Sequence, residues 1–207
     1  MSSPPWIERQ LHRRGIGDER VLAAMGRVPR ELFVPEEHRA IAYDDSPVPL
    51  AFGQTVSQPY MVALAAEALG LQGSEKVLDV GTGSGYAAAV LAELAADVHT
   101  IERIPELAEA ARLALGAAGY ERVHVHVGDG ALGLPEEAPF DAIAVAAAAA
   151  ELPPALWAQL CEGGRIAIPL ESGRRGQHFC VLERATRGPR LIASVPARFV
   201  PLVHEGP

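Results

Sequence analysis

Three acids and three glycines stand in one register along the middle of this chain. Asp79 precedes by two residues the run Gly81-Thr82-Gly83-Ser84-Gly85. Glu102 follows about 20 residues beyond that loop, and Asp129 lies between Gly128 and Gly130. Each acid sits in, ends or follows an apolar run that reads as a strand: 77–80, 98–102 and 123–127. Glycines let the backbone turn tightly and approach a ligand closely. The helix expected after the loop offers unpaired N–H groups and a positive dipole end. An acid ending the second strand can accept both hydroxyls of a ribose. Asp129 falls where the base of such a ligand could lie. Singly, each acid has a plainer reading, as a structural group, a surface or capping acid, or a turn residue. Their common register is what points to a nucleotide-like cofactor.

The loop reads G-x-G-x-G. The dinucleotide fingerprint is G-x-G-x-x-G, and Tyr86 stands where its third glycine belongs. A nicotinamide oxidoreductase would also need a hydride-site pair such as Tyr–Lys. Lys76, the only lysine, precedes the strand. S-adenosylmethionine carries a cationic sulfonium and an ammonium and no phosphates, so an acid-lined pocket suits it better than a pyrophosphate.

These residues need a scaffold, and the periodicity supplies one. Helices are expected at 18–26, from a Ser57 cap through Leu69 with Pro59 in the first turn, at 84–95, from Pro105 onward, and around 154–161. Strands at 77–80, 98–102, 123–127, 142–145 and 165–168 alternate with them. This rhythm marks an α/β fold, a mostly parallel sheet with helices on both faces. Strands 179–183 and 191–195 have no helix between them and should pair antiparallel. The apolar tail Arg198-Phe-Val-Pro-Leu202 should pack back onto the domain. One domain is expected over 1–207: an N-terminal helical and loop extension (1–56), an α/β core (57–170) and C-terminal strands and tail (171–207). Arg174-Arg175 reads as a solvated turn.

With 207 residues, 49% hydrophobic and 21% charged, the composition is that of an ordinary globule. A net charge of -8 and a pI near 5.4 argue against a grip on nucleic-acid phosphates. No signal-peptide pattern opens the chain, and the apolar run 142–150 is too short to span a bilayer. Two cysteines, Cys161 and Cys180, without a C-x-x-C pair, suit a reducing cytoplasm. No heptad or long apolar stripe asks for a partner, so a monomer is expected. His124 and His126 alternate on one strand face. An H-x-H pair can bind zinc, but no third ligand with suitable spacing stands out, so no metal is expected.

Several segments resemble the protein-L-isoaspartate O-methyltransferases over about residues 20–202. They are Val28-Pro-Arg-Glu-Leu-Phe-Val-Pro35, Ala42-Tyr-Asp-Asp45, Gly53-Gln-Thr-Val-Ser-Gln-Pro59, Asp79-Val-Gly-Thr-Gly-Ser-Gly85, Gly128-Asp-Gly130, Pro139-Phe-Asp-Ala-Ile143 and Arg198-Phe-Val-Pro-Leu202. The third and the last are the most specific; the glycine loop is shared by many methyltransferases. The resemblance implies a Rossmann-like S-adenosylmethionine-dependent methyltransferase fold. It implies methyl transfer to the α-carboxylate of L-isoaspartyl and D-aspartyl residues of aged proteins, with S-adenosylhomocysteine as product. The ester would collapse to a succinimide, beginning repair. Asp79, Gly81, Thr82, Gly83, Gly85, Glu102, Asp129 and Gly130 are the candidate cofactor residues. Thr55, Ser57 and Val200 are the candidate substrate residues, with the Ser57 hydroxyl as the catalytic one. The run Val145-Ala-Ala-Ala-Ala-Ala-Glu151 departs from the family pattern: Ala146 replaces a glycine or threonine, and the run could be no more than the start of a helix. A methyltransferase with another carboxylate or small acceptor, and a silent cofactor-binding module, stay open as rivals.

Overall fold

Short helices set by local capping begin the chain. A computed structural model describes residues 4–173 and 176–204, so Arg174-Arg175 lie outside the described residues. Helix α1 spans Pro5–Gln10 and α2 spans Glu19–Arg27. The Asp18 side chain accepts the Arg20 N–H and caps α2, whose Val21, Leu22, Ala24 and Met25 are buried. A hairpin of β1 (Val48–Pro49) and β2 (Thr55–Val56) leads to α3 (Pro59–Leu69), which opens on proline and stops at Gly70 with φ 68°.

The core then alternates. Strand β3 (Lys76–Val80) is followed by α4 (Tyr86–Ala92), β4 (Asp97–Glu102) by α5 (Pro105–Ala117), and β5 (His124–Val127) by a turn-rich loop. Strand β6 (Phe140–Val145), α6 (Pro154–Gln159) and the long β7 (Leu160–Glu171) complete the parallel part. Strands β8 (Gln177–Ala185) and β9 (Gly188–Ala197) add antiparallel to β7. The seven-stranded sheet runs β5-β4-β3-β6-β7-β8-β9. Chain order reverses between β3 and β6, the switch point at which open α/β sheets bind ligands. The fold is thus the mostly parallel α/β sheet expected from the sequence.

Alternation along β3 divides the core. Val77 joins Ala142 and Ala144 under the face carrying α2, α3 and α4. Leu78 and Val80 join Ile143, Val145 and Leu156 on the other face, under α6. None of the described helices is long and apolar enough to cross a membrane.

Three local expectations need correction. Helix α4 begins at Tyr86, because Gly85 at φ 87° is left-handed and cannot be helical. Strand β7 starts at Leu160 and runs through Gly163-Gly164, with a register shift against β6. The alanine run after β6 is not helical: Ala148 pairs with Pro201 and Ala149 with Leu170, stitching the tail and β7 together.

Gly85 also shows why the loop can enter α4 at this angle. A Cβ there would stand 3.1 Å from Leu115 Cγ and 3.4 Å from Ala111 Cβ, both on α5. Helix packing alone therefore requires a glycine here. Gly85→Ala should therefore lower stability by roughly 1–3 kcal/mol, through left-handed strain and crowding. Urea unfolding measures this; an unchanged midpoint would refute the packing role.

Candidate functional site

The loop after β3 is shaped by backbone bonds to β4. Gly81 N–H donates to the Ile101 carbonyl at 2.9 Å, and Gly85 N–H donates to the Thr82 carbonyl at 2.8 Å. Glu102 then fastens both sides: one carboxylate oxygen accepts Gly83 N–H at 3.0 Å, the other Ile104 N–H at 3.1 Å. Each oxygen keeps a lone pair for a further donor. A narrow cavity lies here between Gly81, Gly83, Glu102, Gly130 and Leu202. Gly81 and Gly83 have φ of 94° and 53°. A Cβ on Gly130 would fall 2.6 Å from Val80 Cγ1, so no side chain fits there. This acid-centred, glycine-walled cavity with apolar Val80, Ile101 and Leu202 suits the adenosine part of S-adenosylmethionine.

Asp79 and Thr82 sit beneath this surface. Asp79 is 1% exposed and accepts the Thr100 hydroxyl at 2.8 Å; Thr100 Oγ1 lies 2.6 Å from Thr82 Oγ1. This chain locks the loop to β3 and β4. The Thr82 side chain therefore faces the sheet, and only the loop backbone faces the cavity. Asp129 is engaged by its own turn, accepting Ala131 N–H at 2.8 Å, and by the tail, with His204 Nδ1 at 2.6 Å. It precedes Gly130 but does not itself line the cavity.

A second, open cleft of about 720 Å³ adjoins the first, lined by Thr55, Ser57, Tyr60, Ala146, Phe199 and Val200 among others. Thr55, Ala146 and Val200 line both spaces, so the two meet there. Val200 is held by the alanine run: its carbonyl accepts Ala148 N–H at 2.8 Å.

Ser57 is not the cap of α3. The cap position is Gln58, and the donor at Tyr60 N–H goes to the Asp45 carboxylate at 2.9 Å, far upstream in the chain. Ser57 lines the cleft, and its hydroxyl has no hydrogen-bond partner among the described residues. The Ser57 carbonyl is fixed by Arg30 Nη2 at 2.8 Å, while Arg30 Nε holds the Ala42 carbonyl at 2.6 Å. Asp45, Arg30 and Thr100 were not legible as site residues. Asp45 and Arg30 lie inside segments that carry the family resemblance, which was their only signal.

Burial raises the Asp79 carboxyl from 3.8 to about 7; the Glu102 charge adds to this and the Thr100 hydrogen bond opposes it. The folded protein thus holds this proton more tightly than the unfolded chain. The stabilisation is full below 3.8 and is lost as pH rises through about 7. Asp79→Asn cannot titrate, so its stability should fall less across that window than the parent's. Urea midpoints measured against pH would contradict this by showing parallel curves.

The comparisons with known proteins agree with this geometry. The family model described as protein-L-isoaspartate (D-aspartate) O-methyltransferase matches residues 6–206. A protein-L-isoaspartate O-methyltransferase 2 of Marinobacter nauticus is 56% identical over 200 residues, covering 96% of this chain and 91% of the relative. One of Anaeromyxobacter sp. is 53% identical over 200 residues, covering 97% and 82%. A Plasmodium falciparum protein assigned as a protein-L-isoaspartate O-methyltransferase, solved in complex with S-adenosyl-L-homocysteine, superposes with a TM-score of 0.81 at 29% identity, over 96% of each chain. The chain belongs to the protein-L-isoaspartate (D-aspartate) O-methyltransferase family.

Proposed function

We infer that this enzyme transfers the methyl group of S-adenosylmethionine to the α-carboxylate of L-isoaspartyl and D-aspartyl residues in damaged proteins. One observation carries the reading: the cofactor cavity and a peptide-sized cleft meet at Ala146 and Val200, beside the Ser57 hydroxyl. The cofactor supplies, when bound, an electrophilic methyl carbon and leaves as S-adenosylhomocysteine.

The nucleophile is a carboxylate, ionised near pH 7, so no general base is required. What the chain must do is align it and exclude water. Ser57 and Thr55 offer neutral donors. A cation bonded directly to the carboxylate would lower its nucleophilicity. Ser57 is fixed through its carbonyl by the buried Arg30, so its hydroxyl is presented from a rigid segment. Asp79, Gly81, Gly83, Glu102, Asp129 and Gly130 are proposed to hold the cofactor, Asp79 through the loop it anchors.

Strand β9 is the outer edge of the sheet and, among the described residues, pairs only with β8. Its end, Val195 to Ala197, continues along the cleft as Arg198, Phe199 and Val200. Extended backbone at a free edge can pair with a peptide's main chain and so accept many sequences around one damaged residue. We propose a single methyltransferase domain over 1–207, acting as a cytoplasmic monomer on isoaspartyl proteins, with neither nucleic acid nor membrane as partner. The unpaired Cys161 and Cys180 and the acidic pI are consistent with that setting.

Two peptides of one sequence, with L-isoaspartate or L-aspartate, and labelled cofactor test the reaction. Base-labile label should appear on the isoaspartyl peptide alone. Label on another carboxylate only, or cofactor binding with no transfer, would overturn the substrate assignment. Ser57→Ala should lower kcat/KM roughly tenfold, the cost of one lost hydrogen bond in the transition state, with cofactor affinity unchanged. Equal kcat/KM in the two proteins would remove Ser57 from the chemistry.

A further inference from the structure

The opposite end of the sheet holds a cluster that the methyl-transfer reaction does not use. Asp97 opens β4 and Glu102 closes it, so the two lie roughly 16 Å apart at a strand's rise per residue. On the face shared with Leu78, His99 pairs in register with His124 of the edge strand β5. We propose that Asp97, His99 and His124 form a binding site for a divalent ion of the zinc class, clamping β5 to β4.

The donor geometry supports this. One donor atom from each of the three residues lies within 4.8 Å of the others. Asp97 Oδ2 stands 3.3 Å from His99 Nε2, and Asp97 Oδ1 stands 3.6 Å from His124 Nε2. Ligand atoms about 2.0–2.2 Å from a tetrahedral ion stand roughly 3.3–3.6 Å apart. The His99 and His124 rings stack, with centroids 4.8 Å apart, so both side chains run toward the same carboxylate. Glu137 Oε2, 3.8 Å from His99 Nε2, is engaged by Lys76 Nζ at 3.2 Å and stands outside the three-residue set.

The surroundings favour the ligating form of His99. Its Nδ1 lies 3.1 Å from His126 Nε2. With Nδ1–H donating to His126, the Nε2 lone pair points at the Asp97 carboxylate, an arrangement that a cation between them makes favourable. A ligating histidine characteristically spends its other N–H on such an outer partner. His99 is nearly buried, whereas Asp97 and His124 are partly open to solvent, which gives a fixed anchor and an entry path. The H-x-H spacing showed one ligand of the set, and strand pairing supplies the other two.

Calorimetry with zinc chloride on the chelator-treated protein tests the site. One equivalent should bind, and the thermal midpoint should rise and fall back with chelator. His124→Ala, at an exposed position that folding tolerates, and Asp97→Asn should each weaken zinc at least about tenfold. Both should leave transfer to the isoaspartyl peptide unchanged. Cobalt in place of zinc should show the visible absorption of a four-coordinate site. Absence of zinc binding, or binding untouched by both substitutions, would mean that the histidine stack is only a hydrogen-bonded edge and would overturn the proposal.

Discussion

The active end of this protein depends on a buried guanidinium. Arg30 is fully buried, and neither of its two hydrogen bonds goes to a carboxylate; its guanidinium carbon lies 4.5 Å from the Tyr86 ring centre. Taking a cation out of water is costly unless polar groups replace the solvent. Here two backbone carbonyls hold Nε and Nη2 and an aromatic face covers the plane, while Nη1 is buried without a hydrogen-bond partner among the described residues. The consequence is positional. The Ala42 carbonyl belongs to the N-terminal extension and the Ser57 carbonyl to the segment entering α3. One side chain therefore fixes the extension, the first helix of the core and, through Tyr86, the start of α4. Burial pushes the Tyr86 hydroxyl up to about 12, so it stays neutral beneath that charge.

A second buried polar chain, Asp79–Thr100–Thr82, does for the cofactor side what Arg30 does for the substrate side. It contains no cation, and it sets loop geometry through hydroxyls rooted in two adjacent strands. Thr82 points down, and so the loop backbone turns upward at Gly81 and Gly83. Glu102 then receives N–H groups from both flanks and is held at the cavity wall. Neither side needs a flexible charged side chain at the reacting centre. Both rely on atoms whose positions follow from packing.

What could be read from the sequence follows from how local each signal is. The strands, the glycine loop and the register of Asp79, Glu102 and Asp129 were legible because each rests on a period or a spacing within one segment. The contact of the Arg198–Leu202 tail with the domain was legible from its hydrophobicity. The cap of α3 was assigned to Ser57 because caps are usually adjacent, but Asp45 supplies it across a hairpin. Gly85 was read as a ligand glycine because it shares a loop with Gly81 and Gly83; its packing against α5 had no signal within that loop. The roles of Arg30 and Thr100, and the meeting of His99 with His124, depend on strand order and on helix docking. No spacing within one segment encodes those.

The mixture of buried acid and apolar wall at the junction has a chemical logic. Methyl transfer from a sulfonium to a carboxylate brings a cation against an anion and ends in two neutral products. Water stabilises the separate charges more than the charge-dispersed transition state, so a poorly solvated site favours the reaction. The small space between Ser57 and Asp79 is walled by Met61, Ala146 and Phe199, with little polar surface. Asp79 is the one group there that could spoil this balance. Ionised, it would stabilise the sulfonium and repel the incoming carboxylate, and both effects raise the barrier. Burial holds its carboxyl up to about 7, which disfavours the ionised form. The burial that locks the loop in place also disfavours a full negative charge beneath this space.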